Sequence, residues 1–181
     1  MATQLKEKAL AFVTAVTSQD AETVRSLADS KYIQHNPYLP TGLEHFIGLF
    51  PAFEENGTQA KAVRVIEDGN FVAIHHVWSG AKPFGADEMV SFDILRFDES
   101  GTIVEHWDAL TPLVTETASG RSQTDGPRVA NDLDKTEENK AAGKTMVEDI
   151  LMGKNPDRIT DHISAERYDQ HNPGIKDGLS G

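Results

Sequence analysis

The stretch Tyr32-Ile33-Gln34-His35-Asn36-Pro37 occurs twice in this chain, the second time as Tyr168-Asp169-Gln170-His171-Asn172-Pro173. Five of the six residues are identical, and Gly42-Leu43 recurs as Gly178-Leu179 at the same spacing. A period of 136 residues is the size of a domain, not of a solenoid repeat. We therefore interpret the chain as one complete unit followed by the beginning of a second unit of the same kind.

The repeat divides the chain into three parts. Residues 1–114 form the first domain, residues 115–135 form a linker rich in Ser, Thr, Gly and Asp, and residues 136–181 form a partial second repeat of helices and the Tyr-x-Gln-His-Asn-Pro motif. The partial repeat has no strands of its own to cover its helices. The apolar faces of these helices could dock on the first unit or on a partner subunit, or stay mobile. We favour a further alternative, that the native polypeptide is longer than 181 residues.

Composition narrows the classes of function. The formal net charge is −12, from 29 acidic residues against 17 Lys and Arg, which argues against nucleic acid and anionic membranes as partners. The chain has no cysteine, so a disulfide, a thiolate nucleophile and a Cys-ligated zinc site are excluded. No apolar run is long enough for a membrane span, and no signal peptide is visible. We expect a soluble, cytoplasmic protein.

Hydrophobic periodicity on both sides of the motif predicts an α+β fold. Helices are predicted over residues 3–17, over a short segment capped by Asp20, and over residues 42–53, where Pro51 ends or kinks the helix. Four longer strands follow at 60–67, 71–78, 88–97 and 102–112, joined by turn sequences such as Asp68-Gly69. An antiparallel sheet of this kind curls around its three helices and leaves a pocket between them.

The hairpin between residues 88 and 112 carries the most informative polar side chains. A four-residue turn at 98–101 places Asp93 opposite His106. Alternation along the strands then puts two sets of residues on opposite faces. One face carries Asp93, Leu95, His106 and Asp108, and the other carries Phe92, Ile94, Ile103, Glu105 and Trp107.

A face that mixes apolar residues with two carboxylates and an imidazole is a natural lining for a polar-bottomed pocket. A carboxylate in an apolar cavity has a raised pKa and becomes a usable general base. Asp93 and His106 have a second interpretation, because a cross-strand ion pair also explains them. Asp108 has no charged cross-strand partner in this register, so an ion pair explains it less well.

Four further side chains are candidates for contact with a substrate, and each has a structural alternative. His75 lies on the neighbouring strand, and only one of His75 and His76 can share the pocket. His35 could instead hold the turn before Pro37. Tyr32 and Trp78 are of a size that is typical of core residues.

A metal site is a weaker hypothesis. His35, His75 and His106 could join Asp93 or Asp108 as ligands, but no His-x-His or His-x-x-x-His spacing supports such a set. The sequence also contains no Gly-rich phosphate loop and no G-x-S-x-G nucleophile. We predict metal-free and cofactor-free acid/base chemistry.

The motif at 32–37, Gly42-Leu43-Glu44, the strand around His75, Phe92-Asp93-Ile94 and the run from Ile103 to Asp108 together resemble the SnoaL-like proteins of the nuclear transport factor 2-like superfamily. The most similar branch is that of the predicted SnoaL-like aldol-condensation-catalysing enzymes. The resemblance covers residues 9–111 and begins again at residues 139–181. It implies a cystatin-like cone, in which a curved antiparallel sheet wraps around helices and encloses a deep pocket.

The resemblance also implies a reaction and partners. In the polyketide cyclases of the family, a last-strand aspartate is the acid/base of an intramolecular aldol closure, without metal or cofactor, and Asp108 matches that position. His106 and Asp93 would assist it, and His35 and His75 match positions that line the pocket. We add Tyr32 and Trp78 to the residues expected to bind the substrate, a small carbonyl or polyketide-like compound. The family usually forms homodimers through the sheet.

Three hypotheses for function follow. The first is a cofactor-independent enzyme of the lyase or isomerase type. The second is a non-catalytic module that binds an apolar small molecule in the same pocket. The third is a dimeric assembly protein with a vestigial pocket.

Overall fold

The computed structural model describes residues 4–181, so Thr3, at the start of the first predicted helix, lies outside the described residues. The chain forms two compact units, one up to Leu113 and one from Val114 onward. The predicted domain boundary, after residue 114, lies one residue beyond the observed boundary after Leu113. The predicted linker is part of the second unit.

The first unit contains four α-helices and five strands. The helices are α1 (Gln4–Thr17), α2 (Ala21–Leu27), α3 (Leu43–Ile47) and α4 (Phe50–Asn56). The strands are β1 (Ala28–Gln34), β2 (Gln59–Asp68), β3 (Phe71–Ser79), β4 (Glu88–Phe97) and β5 (Ile103–Pro112).

The predicted third helix is two helices in the structure. Pro51 occupies the first turn of α4, where its missing N–H breaks no helical hydrogen bond. The chain therefore ends α3 at Gly48 and begins again, so the sheet packs against four helices, not three. Asp20 caps α2 as predicted, because its carboxylate accepts a hydrogen bond from the Thr23 backbone N–H at 3.0 Å.

The sheet has the strand order β1-β5-β4-β3-β2 and is mixed. Strands β2 to β5 pair antiparallel as predicted, but β1 pairs parallel to β5. The expectation of a purely antiparallel sheet is therefore wrong at this edge. The helices α3 and α4 and the strands β2 to β4 lie between β1 and β5 in sequence. The two paired strands are therefore joined by a long connection, as parallel pairs require.

The hydrophobic core lies on the inner face of this sheet, beneath the helices. Phe53, Phe97 and Ile103 are fully buried in it. Ile103 was expected on the outer face with Trp107. A register irregularity beside Arg96 instead brings Ile103 opposite Phe97, because one extra residue in a strand reverses the direction of the side chains beyond it.

The outer face of the sheet exposes several large apolar side chains. Phe71, Phe92 and Ile94 are each about two-fifths to one-half exposed. No helix of residues 4–181 is long and apolar enough to cross a membrane.

Residues 114–181 of the second unit contain helices and turns but no strand. They form α5 (Thr136–Met146), a π-helical turn (Val147–Leu151) and α6 (Ile159–His162). The predicted linker is not free: Arg121 binds Asp169 and Asp177 at 2.8 Å, and the Ser119 hydroxyl donates to the Gln170 carbonyl.

The two copies of the motif form the same local turn. The Tyr32 carbonyl accepts from the Gly42 N–H at 3.1 Å, and the Tyr168 carbonyl accepts from the Gly178 N–H at 2.9 Å. In each copy the glutamine side-chain oxygen accepts from the backbone N–H of the asparagine two residues later. The interpretation of residues 136–181 as a second repeat remains a prediction.

Gly80 provides a test of how the helices are fixed to the sheet. Its φ is +59°, and a Cβ there would lie 2.3 Å from the Asn56 carbonyl oxygen at the end of α4. We expect Gly80→Ala to lower the free energy of unfolding by about 3 kcal/mol, since left-handed strain of ~1–2 kcal/mol adds to overpacking of ~1–3 kcal/mol. Urea unfolding followed by tryptophan fluorescence measures the loss.

The matched control is Gly69→Ala in the β2–β3 turn. Gly69 has almost the same φ, +58°, but a Cβ there would meet no atom within 4 Å. It should therefore show the strain of about 1–2 kcal/mol alone. Equal losses in the two variants would contradict the close approach at Gly80.

Candidate active site

The register between β4 and β5 determines which polar side chains share the inner face of the sheet. We call Asp93, His106 and Asp108 the polar floor. Asp93 pairs with Asp108 and Leu95 pairs with His106, whereas the sequence predicted that Asp93 would pair with His106. The shift is two residues, so the predicted faces are retained: Asp93, His106 and Asp108 share the inner face. Asp108 was expected to have no charged cross-strand neighbour, but Asp93 lies directly opposite it. Two opposed carboxylates repel each other, so they need hydrogen-bond donors nearby.

Asp93 is surrounded by donors. His106 Nε2 lies 3.1 Å from its Oδ1, His76 Nδ1 lies 3.0 Å from its Oδ2, and the Ser91 hydroxyl also donates to Oδ2. Burial raises the pKa of the Asp93 carboxyl, but the hydrogen bonds and charges of His106 and His76 outweigh burial and hold this pKa far below its ordinary value. The expectation of a raised pKa is wrong for Asp93, because a lowered pKa favours the charged form and makes the carboxylate a weak base.

His106 is held from both sides. Its Nδ1 lies 3.1 Å from Gln34 Oε1, and its Nε2 faces Asp93. Gln34 cannot turn its amide around without loss, because Oε1 also accepts from the Asn36 N–H and Nε2 donates to the Tyr32 hydroxyl at 2.7 Å. The imidazole is therefore fixed in orientation between two acceptors.

Tyr32 completes this chain of hydrogen bonds. Burial, followed by the negative charge of Asp108, raises the pKa of the Tyr32 phenol, so the hydroxyl keeps its proton. Since the hydroxyl oxygen accepts from Gln34, the phenolic O–H remains available as a donor.

Asp108 is half-buried at the end of this cluster. The Asn36 side-chain amide donates to its Oδ2 at 2.8 Å, which fixes the carboxylate and leaves Oδ1 open. Asn36 follows β1 directly, and Pro37 favours the extended geometry that points the chain away from the sheet.

A small cavity of about 50 Å³ lies above these residues, between the sheet and α1. This inner cavity has room for a few water-sized groups and not for a whole substrate. Apart from the polar floor its walls are apolar. The polar side of the cavity is lined by Tyr32, His76, Asp93, His106 and Asp108, with Trp78 beside them.

A larger, open cavity of about 640 Å³ adjoins the same carboxylate. Its volume is in the range of small-molecule sites. Four residues line both cavities, and Asp108 is the only ionisable one among them; the other three are Leu39, Phe84 and Leu110. A molecule in the outer cavity therefore reaches the polar floor at Asp108.

Two of the predicted substrate-binding residues lie on the other side of the sheet. His75 stacks on Phe92 at 4.2 Å and contacts Arg64, and its pKa is lowered, first by burial and then by the nearby charges. His35 stacks on Trp107 at 4.6 Å and binds Glu105 at 2.8 Å. Neither lines either cavity, so both assignments to the pocket are wrong in geometry. Tyr32 and Trp78 do line the inner cavity.

Sequence reasoning missed Gln34, Asn36 and His76. Alternation along β1 gives the signal for Gln34, because Tyr32 points inward and Gln34 is two residues on. The same rule selects His76 over His75 once Trp78 is placed inside. Asn36 lies beyond the strand, and only the fold shows that it reaches Asp108.

The histidine set considered for a metal does not form, since His35 and His75 face away from His106. Within residues 4–181, one group of three potential ligands comes together, and it consists of Asp93, His106 and Asp108.

Known proteins resemble the first unit. The family model described as a SnoaL-like domain matches residues 9–106. None of the curated proteins compared with the chain matches it. Among solved structures, a cystatin-fold protein from Novosphingobium aromaticivorans is 16% identical, with a TM-score of 0.51, over 60% of this chain and 99% of that one.

Two further structures have the same fold. A candidate polyketide cyclase from Bacillus cereus is 17% identical, with a TM-score of 0.50, over 57% of this chain and 71% of that one. TsrD from Streptomyces laurentii is 14% identical, with a TM-score of 0.50, over 61% of this chain and 91% of that one. At these identities the likeness shows the α+β cystatin-like fold alone.

Proposed function

The chain belongs to the SnoaL-like domain family, and from this premise we propose that it is an enzyme that uses Asp108 as a base on small carbonyl compounds. The observation that supports the proposal most strongly is the position of Asp108. It is the only ionisable side chain shared by the inner and outer cavities, and Asn36 holds it with one carboxylate oxygen open.

The proposed reaction begins in the outer cavity. The open oxygen of Asp108 removes a proton from the carbon next to a carbonyl, and the C–H electron pair becomes the enolate. The enolate oxygen is stabilised by the Tyr32 hydroxyl, whose O–H is the donor left available on the inner side. The enolate carbon then attacks a second carbonyl, and the new alkoxide takes up the proton. The product is an aldol, formed by cyclisation when both carbonyls belong to one molecule.

Asp93 acts in this scheme through His106. Because its pKa is held low, Asp93 keeps its negative charge and holds Nε2 of His106, which in turn holds Gln34 against the Tyr32 hydroxyl. It is thus a positioning residue for the Tyr32 donor, not a second base. The homodimer expected through the exposed outer face of the sheet remains a prediction.

The test is exchange of carbon-bound protons. The full chain, freed of metal with a chelator, is incubated in D₂O with a panel of 1,3-dicarbonyl compounds and keto-esters, and loss of the α-proton signal is followed by NMR. We expect exchange faster than in buffer and faster than with the urea-unfolded chain. A folded protein that binds panel compounds without any acceleration would contradict the enzyme and favour a binding module.

A further inference from the structure

Three side chains at the floor of the inner cavity have the arrangement of a metal site. Asp93, His106 and Asp108 each offer one ligand atom, and these atoms lie within 4.8 Å of one another. We propose that they bind one divalent transition-metal cation. This inference goes beyond the reaction proposed above and does not depend on it.

The imidazole is oriented as a metal ligand. Gln34 Oε1 lies 3.1 Å from His106 Nδ1 and is fixed there by the Asn36 N–H. With a cation bound at Nε2 in place of the proton shared with Asp93, an acceptor at this position holds the remaining ring proton on Nδ1. Metal-binding histidines usually have such a partner on the second ring nitrogen.

In both carboxylates, the Oδ2 atom accepts hydrogen bonds from residues outside the group of three. His76 Nδ1 and the Ser91 hydroxyl bind Oδ2 of Asp93, and the Asn36 amide binds Oδ2 of Asp108 at 2.8 Å. Oδ1 of Asp93 faces His106 Nε2 within the group of three. Donors outside the group therefore fix one oxygen of each carboxylate.

The distance between His106 and Asp93 suits a cation in place of a proton. His106 Nε2 and Asp93 Oδ1 are 3.1 Å apart, a separation that two ligands of one cation also have when each bond is about 2.1 Å. The inner cavity of about 50 Å³ can hold an ion with a bound water, since a single water needs at least about 10–15 Å³. The outer cavity gives access beside Asp108.

The donor set selects the class of metal. One imidazole nitrogen and two carboxylate oxygens favour cations such as Mn²⁺, Fe²⁺, Co²⁺ and Zn²⁺ over Mg²⁺ and Ca²⁺, which prefer oxygen ligands throughout. The chain has no cysteine to offer a softer ligand. Two carboxylates balance the charge of a divalent ion when His106 is neutral.

Cobalt is the best probe, because bound Co²⁺ absorbs visible light and its spectrum reports the ligand geometry. The untagged full chain, freed of metal, is titrated with Co²⁺ and binding is followed by absorbance and calorimetry. We expect one tightly bound ion per chain. Asp108→Asn and His106→Gln should each weaken binding at least tenfold, since each removes a direct ligand and loss of an outer partner alone typically costs about 10–100-fold.

The second unit supplies the control. His171 and Asp125 form an exposed pair at 2.8 Å that could bind the same ion without a third ligand. Asp125→Asn should leave the tight Co²⁺ site unchanged. Circular dichroism checks that each variant folds, and if His106→Gln does not fold, Asp108→Asn decides. Co²⁺ binding that survives in a folded Asp108→Asn variant, or no binding by the unmodified chain, would overturn the site.

The two proposals can fail separately. Specific Co²⁺ binding by a chain that shows no α-proton exchange would support the cation site and contradict the reaction. Exchange by the metal-free chain, with no Co²⁺ binding that depends on Asp108, would support the reaction and overturn the cation site.

Discussion

The variant Asp108→Asn is expected to lower the rate of α-proton exchange by about 10²–10⁴-fold, the usual contribution of a positioned general base. Asparagine has almost the same size and can still accept from the Asn36 amide through its side-chain oxygen, so the site keeps its shape. It cannot take up a proton from carbon. NMR exchange in D₂O measures the loss, with the metal-free protein in each case.

The matched control is Glu105→Gln on the same strand. Glu105 is a carboxylate that points to the outer face, where it binds His35 and Arg96. We expect Glu105→Gln to exchange protons at nearly the unmodified rate, because it does not line either cavity. Exchange that persists in Asp108→Asn at the unmodified rate would remove Asp108 from the mechanism and leave the enzyme without an assigned base.

The largest expected effect on stability comes from Asp93→Ala, which should lower the free energy of unfolding by about 3–5 kcal/mol. His76 is fully buried, and its Nδ1 would lose its acceptor; among the described residues its Nε2 already has none. The Ser91 hydroxyl and His106 would lose their acceptor as well. Removal of one partner from a buried charged network leaves the others desolvated and unpaired.

Urea unfolding followed by tryptophan fluorescence suits this measurement, because both tryptophans, Trp78 and Trp107, lie in the sheet of the first unit. The control is Asp87→Ala, which removes an exposed carboxylate 3.4 Å from Lys82 and should cost no more than about 1 kcal/mol. Similar midpoints for Asp93→Ala and Asp87→Ala would show that the Asp93 network contributes little to stability.

The strands and turns of the first unit could be read from local pattern. Strand β4 has the bounds that alternation predicts, and the other three long strands agree within about one residue, because a hairpin depends on neighbouring residues. The parallel pairing of β1 with β5 could not be read in this way. It joins segments separated by most of the unit, and no local signal in β1 selects its partner strand.

The functional face was also predictable in part. The faces of β4 and β5 depend only on whether residues lie an even or an odd number of positions apart, so a shift of two residues left Asp93, His106 and Asp108 together. In β3 the predicted site breaks this rule. Trp78 and His75 cannot both face the pocket, because residues three positions apart in a strand point to opposite faces.

The sequence by itself determined the order of helices and strands, the turns between the long strands and the set of residues that share the inner face, since each follows from short-range periodicity. The tertiary structure alone decided that β1 lies beside β5. That pairing places Gln34 against His106 and Asn36 against Asp108. The tertiary structure also decided the direction in which the pKa of Asp93 shifts. Burial alone would raise this pKa, but His76 and His106, on the two neighbouring strands, lower it.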